Sequence, residues 1–272
     1  MPQLCKWKNN FNDQMNRQKN RIILLGASNL TLSLRLVIDL MQQRIGRASE
    51  VFAATGHGRA YGCFSEMLLR GLPGIADCGL WRQLDTSDTQ PVYALLTDIG
   101  NDIMYELPPA KVLLAVEWCI KQLQRHSAQI VVTGLPMASV ERLTESRYTF
   151  FRNLFYPCCR LSRVEAIDRV QAIHAGLVEM AALYRFTLIE QQPCWFGVDG
   201  IHVRFERRAD YYRNVLNGFT GAGYEPESGY ERVPLLFWKR RATFAYKTIL
   251  GWEFICSQPS GLLLNGSKVF KY

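Results

Sequence analysis

Apolar positions follow two rhythms along this chain. Short unbroken runs alternate with longer stretches in which apolar residues recur every three or four positions. Residues 22–25 are Ile-Ile-Leu-Leu and stop at Gly26. After Ser28 and Asn29, Leu32, Leu36, Leu40 and Met41 fall at helical spacing, with Gly46 as the stop. Further short runs lie at residues 50–55, 91–98, 129–133 and 186–189. Between them, helices are predicted over about 61–69, from Pro108-Pro109 to about 125, and over 163–184. The last carries Val164, Ile167, Val170, Ile173, Leu177 and Met180 as its apolar positions. Pro in a first turn suits a helix start. Residues 71–90 read as loop plus a short helix. Continuous apolar strands alternating with helices imply strands buried on both faces, hence a three-layer α/β fold around a parallel five-stranded sheet.

Two stretches stand outside that rhythm. Residues 140–157 form a wide excursion containing Tyr148, Phe150, Phe151, Phe155 and Tyr156. Packing is the plainer use of such a cluster, and a wall for an acyl pocket is the alternative. The tail from residue 224 alternates weakly at 251–257. It then places residues 261–264 and 268–272 on either side of Asn265-Gly266, a strong hairpin signal. The expected organisation is a polar lead-in at 1–20, a main domain at 21–223 and a C-terminal extension with a β-hairpin at 224–272.

Composition narrows the picture modestly. The chain has 272 residues, 48% of them hydrophobic, and a formal net charge of +8. Its basic residues are dispersed rather than blocked, so no nucleic-acid partner is expected. No stretch is long and apolar enough to span a bilayer, and residues 1–20 lack the apolar centre of a signal peptide, so a cytoplasmic location is expected. Residues 235–246 mix aromatics with Lys239, Arg240 and Arg241. Membrane-surface contact there is an option, but packing over the hairpin is preferred. The eight cysteines form no CxxC pair, so neither a metal nor a redox motif is indicated, and reduced thiols are expected. Oligomeric state is not legible.

Chemistry gathers where strands end. Ser28 follows the first strand, Gly56-His57-Gly58 the second, Gly100-Asn101-Asp102 the third, and Asp199-Gly200-Ile201-His202 follows the last. In a parallel sheet these carboxyl ends share one edge, so residues distant in sequence converge. A serine needs a base to be nucleophilic; His202 supplies one, and Asp199 can orient it. The amides of Ser28 and a loop glycine, with the Asn101 side chain, would hold an oxyanion. Each residue has a plainer use: Ser28 as a helix N-cap, Asn101 as a turn residue, His202–Asp199 as a structural pair. His57 and Arg59 could contact substrate, whereas His126 and His174 read as structural. Residues 56–62 (GHGRAYG) miss the dinucleotide fingerprint by one position and lack a following ribose-binding acid, so no nucleotide cofactor is expected.

These blocks resemble the SGNH hydrolases, the superfamily of GDSL-type esterases and lipases. Gly26-Ala27-Ser28 stands for the nucleophile block, with Ala27 in place of its Asp. Gly58 stands for the glycine amide donor, with Gly56 as the alternative. Asn101-Asp102 match the third block, where Ile99 replaces its first glycine. Asp199 and His202 match the last block in full. The resemblance covers about residues 21–203. It implies a flavodoxin-like sheet and metal-free, cofactor-free cleavage of a small acyl ester or thioester by Ser28, His202 and Asp199. A catalytically silent binding or scaffolding module and an acyltransferase are the alternatives.

Overall fold

A computed structural model describes residues 20–46, 49–84, 90–220 and 238–272. The first strand, β1 (Asn20–Leu25), sits near the centre of an eight-stranded sheet. Ile22 to Leu25 are wholly buried. Ile23 and Leu25 enter one apolar core while Ile22 and Leu24 enter the other, as strand alternation demands of a strand covered on both sides. α1 (Ser28–Ile45) returns over the second core through Leu30, Leu34, Val37, Ile38 and Met41. This stripe is rotated from the one predicted: Leu32 faces solvent, and Leu36 and Leu40 are only partly buried.

β2 (Ser49–Ala54) pairs parallel with β1. The helix predicted over 61–69 does not form. That stretch holds β3 (Ser65–Met67), which turns through Leu68-Leu69 into β4 (Arg70–Leu72). Leu68 and Leu69 both have positive φ (50° and 63°), the requirement of a two-residue type I′ hairpin, and both are exposed. α2 (Leu80–Gln83) is the short helix expected within 71–90. β5 (Val92–Leu96), α3 (Asn101–Met104), α4 (Pro109–Gln124) and β6 (Gln129–Thr133) continue the alternation. α5 (Met137–Glu141) and α6 (Glu145–Phe155) fill the excursion. α7 (Arg163–Tyr184) begins with a Ser162–Glu165 capping box and leads to β7 (Thr187–Ile189). Val170, Ile173 and Leu177 are buried on it, whereas Val164 is exposed. α8 (Arg208–Leu216) then packs on α1.

The strand order is β7-β6-β5-β1-β2-β12-β11-β8, so all five predicted parallel strands are present and the sheet extends beyond them. β8 (Trp238–Arg240) lies at one edge. β9 (Tyr246–Ile249) and β10 (Trp252–Ile255) join β4 and β3 in a second, antiparallel sheet, in the order β10-β9-β4-β3. The hairpin of β11 (Gly261–Leu263) and β12 (Lys268–Lys271) forms around Asn265-Gly266 as predicted. It joins the main sheet: β12 runs parallel to β2, and together with β11 and β8 it widens that sheet to eight strands. Among the described residues no disulfide forms and no helix is long and apolar enough to cross a membrane. The predicted lead-in, apart from Asn20, and the start of the tail, with residues 235–237, lie outside the described residues.

Candidate active site

Ser28 is the first residue of α1, and the residue that caps that helix end is Ala27. Ala27 has no side chain with which to cap. The Asp98 carboxylate, arriving from beyond β5, does so instead. It accepts from the Ala27 N–H (2.8 Å), the Leu30 N–H (3.1 Å) and the Asn29 side-chain amide (2.9 Å). Asp98 itself adopts a left-handed backbone (φ 58°), uncommon for a residue with a side chain. The Ser28 hydroxyl is therefore not consumed as a cap. It makes no hydrogen bond among the described residues, and Ser28 lines a cavity of about 130 Å³.

Asn29 joins this turn to the histidine loop. Its amide donates to the Ile201 carbonyl (2.9 Å) and its side-chain oxygen accepts from the Val203 N–H (2.8 Å). The two residues flanking His202 are thus tied to the residue following Ser28. His202 Nδ1 lies 2.6 Å from Asp199 Oδ2. Asp199 Oδ1 also accepts from the backbone N–H groups of Ile201 and His202, so the loop closes on its own carboxylate. Burial alone would lower the His202 pKa. The Asp199 bond and charge, with Asp98, outweigh it and raise the value above that of ordinary imidazole. Burial likewise opposes ionisation of Asp199, but the His202 and backbone bonds hold its pKa below the usual carboxylate value. Gly200 takes φ 76° at the turn, where a side chain would also press on the Ser139 carbonyl. Among the described residues no hydrogen bond joins Ser28 to His202.

The second and third blocks meet beside this pair. Asn101 begins α3; its amide donates to the Arg59 carbonyl (3.1 Å) and its oxygen accepts from the Tyr156 hydroxyl (3.2 Å). One amide hydrogen of Asn101 is left for another acceptor. Asp102 is fully buried and accepts from the N–H groups of Tyr61 and Gly62, which binds the two loops together. Burial pushes its pKa up, and those two bonds oppose the shift. Gly58 has φ 64°, and a Cβ there would meet Met67 and lie 3.3 Å from the Tyr156 hydroxyl. Gly56 packs against Leu72 and Arg59 instead. Ile99, the departure in the third block, is buried in the first core and also borders the cavity.

Two predicted contacts separate here. His57 is half-buried within electrostatic range of His202; burial first, then the charges of Arg70, His202 and Lys271, lower its pKa. Arg59 is fully buried, and its guanidinium donates to the carbonyls of Pro73 (3.0 Å), Thr55 (3.2 Å) and Tyr272. It pins the second loop to Tyr272, just past β12, and does not border the cavity. His174 faces Glu190 (3.6 Å). On the aromatic excursion, Tyr148, Phe151, Phe155 and Tyr156 wall the cavity together with Leu135, Val140 and Val170.

No protein-family model matches the sequence, and no curated protein matches it. Solved structures do match. Est24, a carbohydrate acetylesterase from Sinorhizobium meliloti, aligns at 12% identity over 74% of this chain and 100% of its own, with a TM-score of 0.50. TesA aligns at 15% identity over 75% and 99%, with a TM-score of 0.47. A member of the lipolytic G-D-S-L family from Veillonella parvula aligns at 14% over 73% and 94%, with a TM-score of 0.44. The fold is shared with Est24. Within that fold, two residues here escape a motif-based reading. Asp98 and Asn29 hold the Ser28 turn and the histidine loop in register, yet their partners lie 68 to 174 positions away. An acid just after a strand is the only local signal for Asp98, and that signal says no more than turn.

Proposed function

We propose that this protein is a serine hydrolase that cleaves carboxylic ester or thioester bonds. The observation that carries the reading is the Asn29 bridge, which ties the Ser28 turn to both neighbours of a histidine already paired with Asp199. In the mechanism, Ser28 Oγ attacks the acyl carbonyl as His202 Nε2 takes its proton, and Asp199 stabilises the imidazolium. The negative oxygen of the tetrahedral intermediate sits between the Ser28 and Gly58 N–H groups and the free amide hydrogen of Asn101. The amino end of an 18-residue helix adds its positive potential at Ser28. The intermediate expels an alkoxide or thiolate, which leaves with the proton from His202. Water, deprotonated by His202, then attacks the acyl-enzyme and releases the acid.

The cavity favours a short apolar acyl group. Its volume of about 130 Å³ is close to the roughly 150 Å³ of an apolar cavity that admits benzene. Purified protein should react with a fluorophosphonate probe and hydrolyse 4-nitrophenyl butyrate. Ser28→Ala should abolish both; equal labelling of the variant would remove Ser28 from the mechanism. Absence of both from the wild-type protein would favour the silent binding module. Release of ester rather than acid when an alcohol acceptor is supplied would favour acyl transfer.

A further inference from the structure

Beside the candidate site lies a cluster of positive charge without negative partners among the described residues. Lys271 Nζ sits 4.2 Å from the centre of the Phe244 ring, and the Arg70 guanidinium carbon lies 5.5 Å from the same ring. Lys247 lies over Phe254 (5.8 Å). Arg70 pairs with Ile249 across β4 and β9, which puts Lys247, two residues from Ile249, on the same sheet face as Arg70. Glu66 and Glu253 belong to the opposite face, opposite Gly71 and Thr248, and Glu253 is occupied by the Tyr246 hydroxyl. Arg70, Lys247 and Lys271 are all half-buried, and none forms an ion pair among the described residues. Burial, followed by the charges of Arg70, Arg241, Arg59 and Lys247, lowers the Lys271 pKa to about 8. Gathering half-buried cations in this way costs free energy that a resident acid would normally offset.

The cluster borders the oxyanion loop. Met67, the cross-strand partner of Arg70, packs on Gly58. His57 lies within electrostatic range of Arg70, His202 and Lys271. None of these cations lines the aromatic cavity. With the acyl group of an ester assigned to that cavity, the cations are available only to its other half.

We propose that Arg70, Lys247 and Lys271 form an anion subsite that takes a phosphate carried on the leaving-group side of the substrate. The inference rests on the hydrolase reading for its place in the reaction. A phosphate monoester carries about −1.5 to −2 near pH 7 and three acceptor oxygens, which match three cations better than a single carboxylate does. The phosphate could be part of a soluble leaving group or of a lipid headgroup, and the two sources are separable.

The test compares phenyl butyrate with the same ester bearing a phosphate on its ring. The wild-type KM should be lower for the phosphorylated ester, and that advantage should shrink with added salt. Arg70→Gln, Lys247→Gln and Lys271→Met should each reduce the advantage by about tenfold, the effect of one charge-assisted hydrogen bond, and Arg70→Lys should restore part of it. Lys247 lies in the second, smaller sheet and outside the main one, so its variant keeps the test open if Lys271→Met misfolds. Equal KM values for the two esters would overturn the subsite while leaving the hydrolase reading intact. If neither ester is turned over, calorimetric titration of the full chain with inorganic pyrophosphate decides the subsite separately. Binding lost in Arg70→Gln supports it, and no binding overturns it. Co-sedimentation with phosphatidic acid vesicles but not phosphatidylcholine vesicles, lost in the same variant, would assign the phosphate to a lipid. Pyrophosphate binding without vesicle binding would assign it to a soluble group.

Discussion

At the scale of single residues, the arrangement depends on two side chains that perform no chemistry. Asp98 holds the amino end of α1 by two backbone bonds and holds Asn29 by a third. Asp98→Ala would free three donors in a buried turn, at about 1–3 kcal/mol for each donor left unsatisfied. The expected result is a lower urea midpoint together with a loss of kcat on 4-nitrophenyl butyrate of roughly a hundredfold, the scale of a misplacement of about 1 Å. Loss of stability with kcat retained would make Asp98 a structural cap alone. His202 supports a second expectation, with a definite sign. In the proposed mechanism His202 acts as the general base and must be neutral, while its pKa is raised by Asp199 and Asp98 against the effect of burial. The acid limb of kcat/KM should therefore lie above the ordinary imidazole value of about 6.5, activity falling as pH drops through it. Asp199→Asn removes the largest raising influence. It should move that limb to lower pH while cutting kcat by roughly a thousandfold or more. A limb that stays in place would mean that another group titrates.

At the scale of elements, legibility followed the locality of the cause. β1, α1, β5, α4 and β12 each carry a run or spacing that declares them, and Asn265-Gly266 announces its own turn. Ser28 and Asn101 stood out as candidates because each lies just past a declared strand, whereas Asp199 and His202 lie well beyond the end of β7 and stood out by their three-residue spacing. The β3–β4 hairpin was not legible, because its turn is Leu68-Leu69. Two leucines at positive φ are a poor choice for a type I′ turn, and the flanking residues read equally well as helix. β9–β10 repeats the pattern with Leu250-Gly251, at φ 53° and 80°. Leu250 is exposed, and its N–H bonds to the Leu69 carbonyl (2.9 Å), so the two tips lie together. Leu250→Asn keeps that backbone bond and places a residue tolerant of left-handed backbone there. It should raise unfolding stability by about 1 kcal/mol, read from urea denaturation. A midpoint that falls would show the leucine side chain to be packed rather than strained.

At the scale of the whole molecule, the C-terminal hairpin changes what counts as the domain. A unit ending near residue 223 would omit β12, which lies between β2 and β11 inside the main sheet. Phe270 stacks on Phe52 with ring centres 4.4 Å apart and planes at 8°. The Tyr272 N–H continues the pairing to the Ala53 carbonyl, and its hydroxyl bonds to Gln83 (2.6 Å). Behind the turn, Gln42 of α1 donates to Ser267 (2.8 Å) and accepts from Asn265 (2.7 Å), locking the hairpin to the first crossover helix. β12 also carries Lys271 and holds Arg59, which anchors the loop of Gly58, so the strand reaches the candidate site from the far end of the chain. If it shares one cooperative core with β1, removing the Phe270 ring should be felt throughout. Phe270→Ala should cost about 3–5 kcal/mol, a large part of the 5–15 kcal/mol that holds a typical domain together. The whole chain should then unfold in one transition at a lower urea midpoint with an unchanged slope. A first, separate transition accompanied by retained ester hydrolysis would instead mean that the hairpin unfolds independently, and would return the boundary to the middle of the chain.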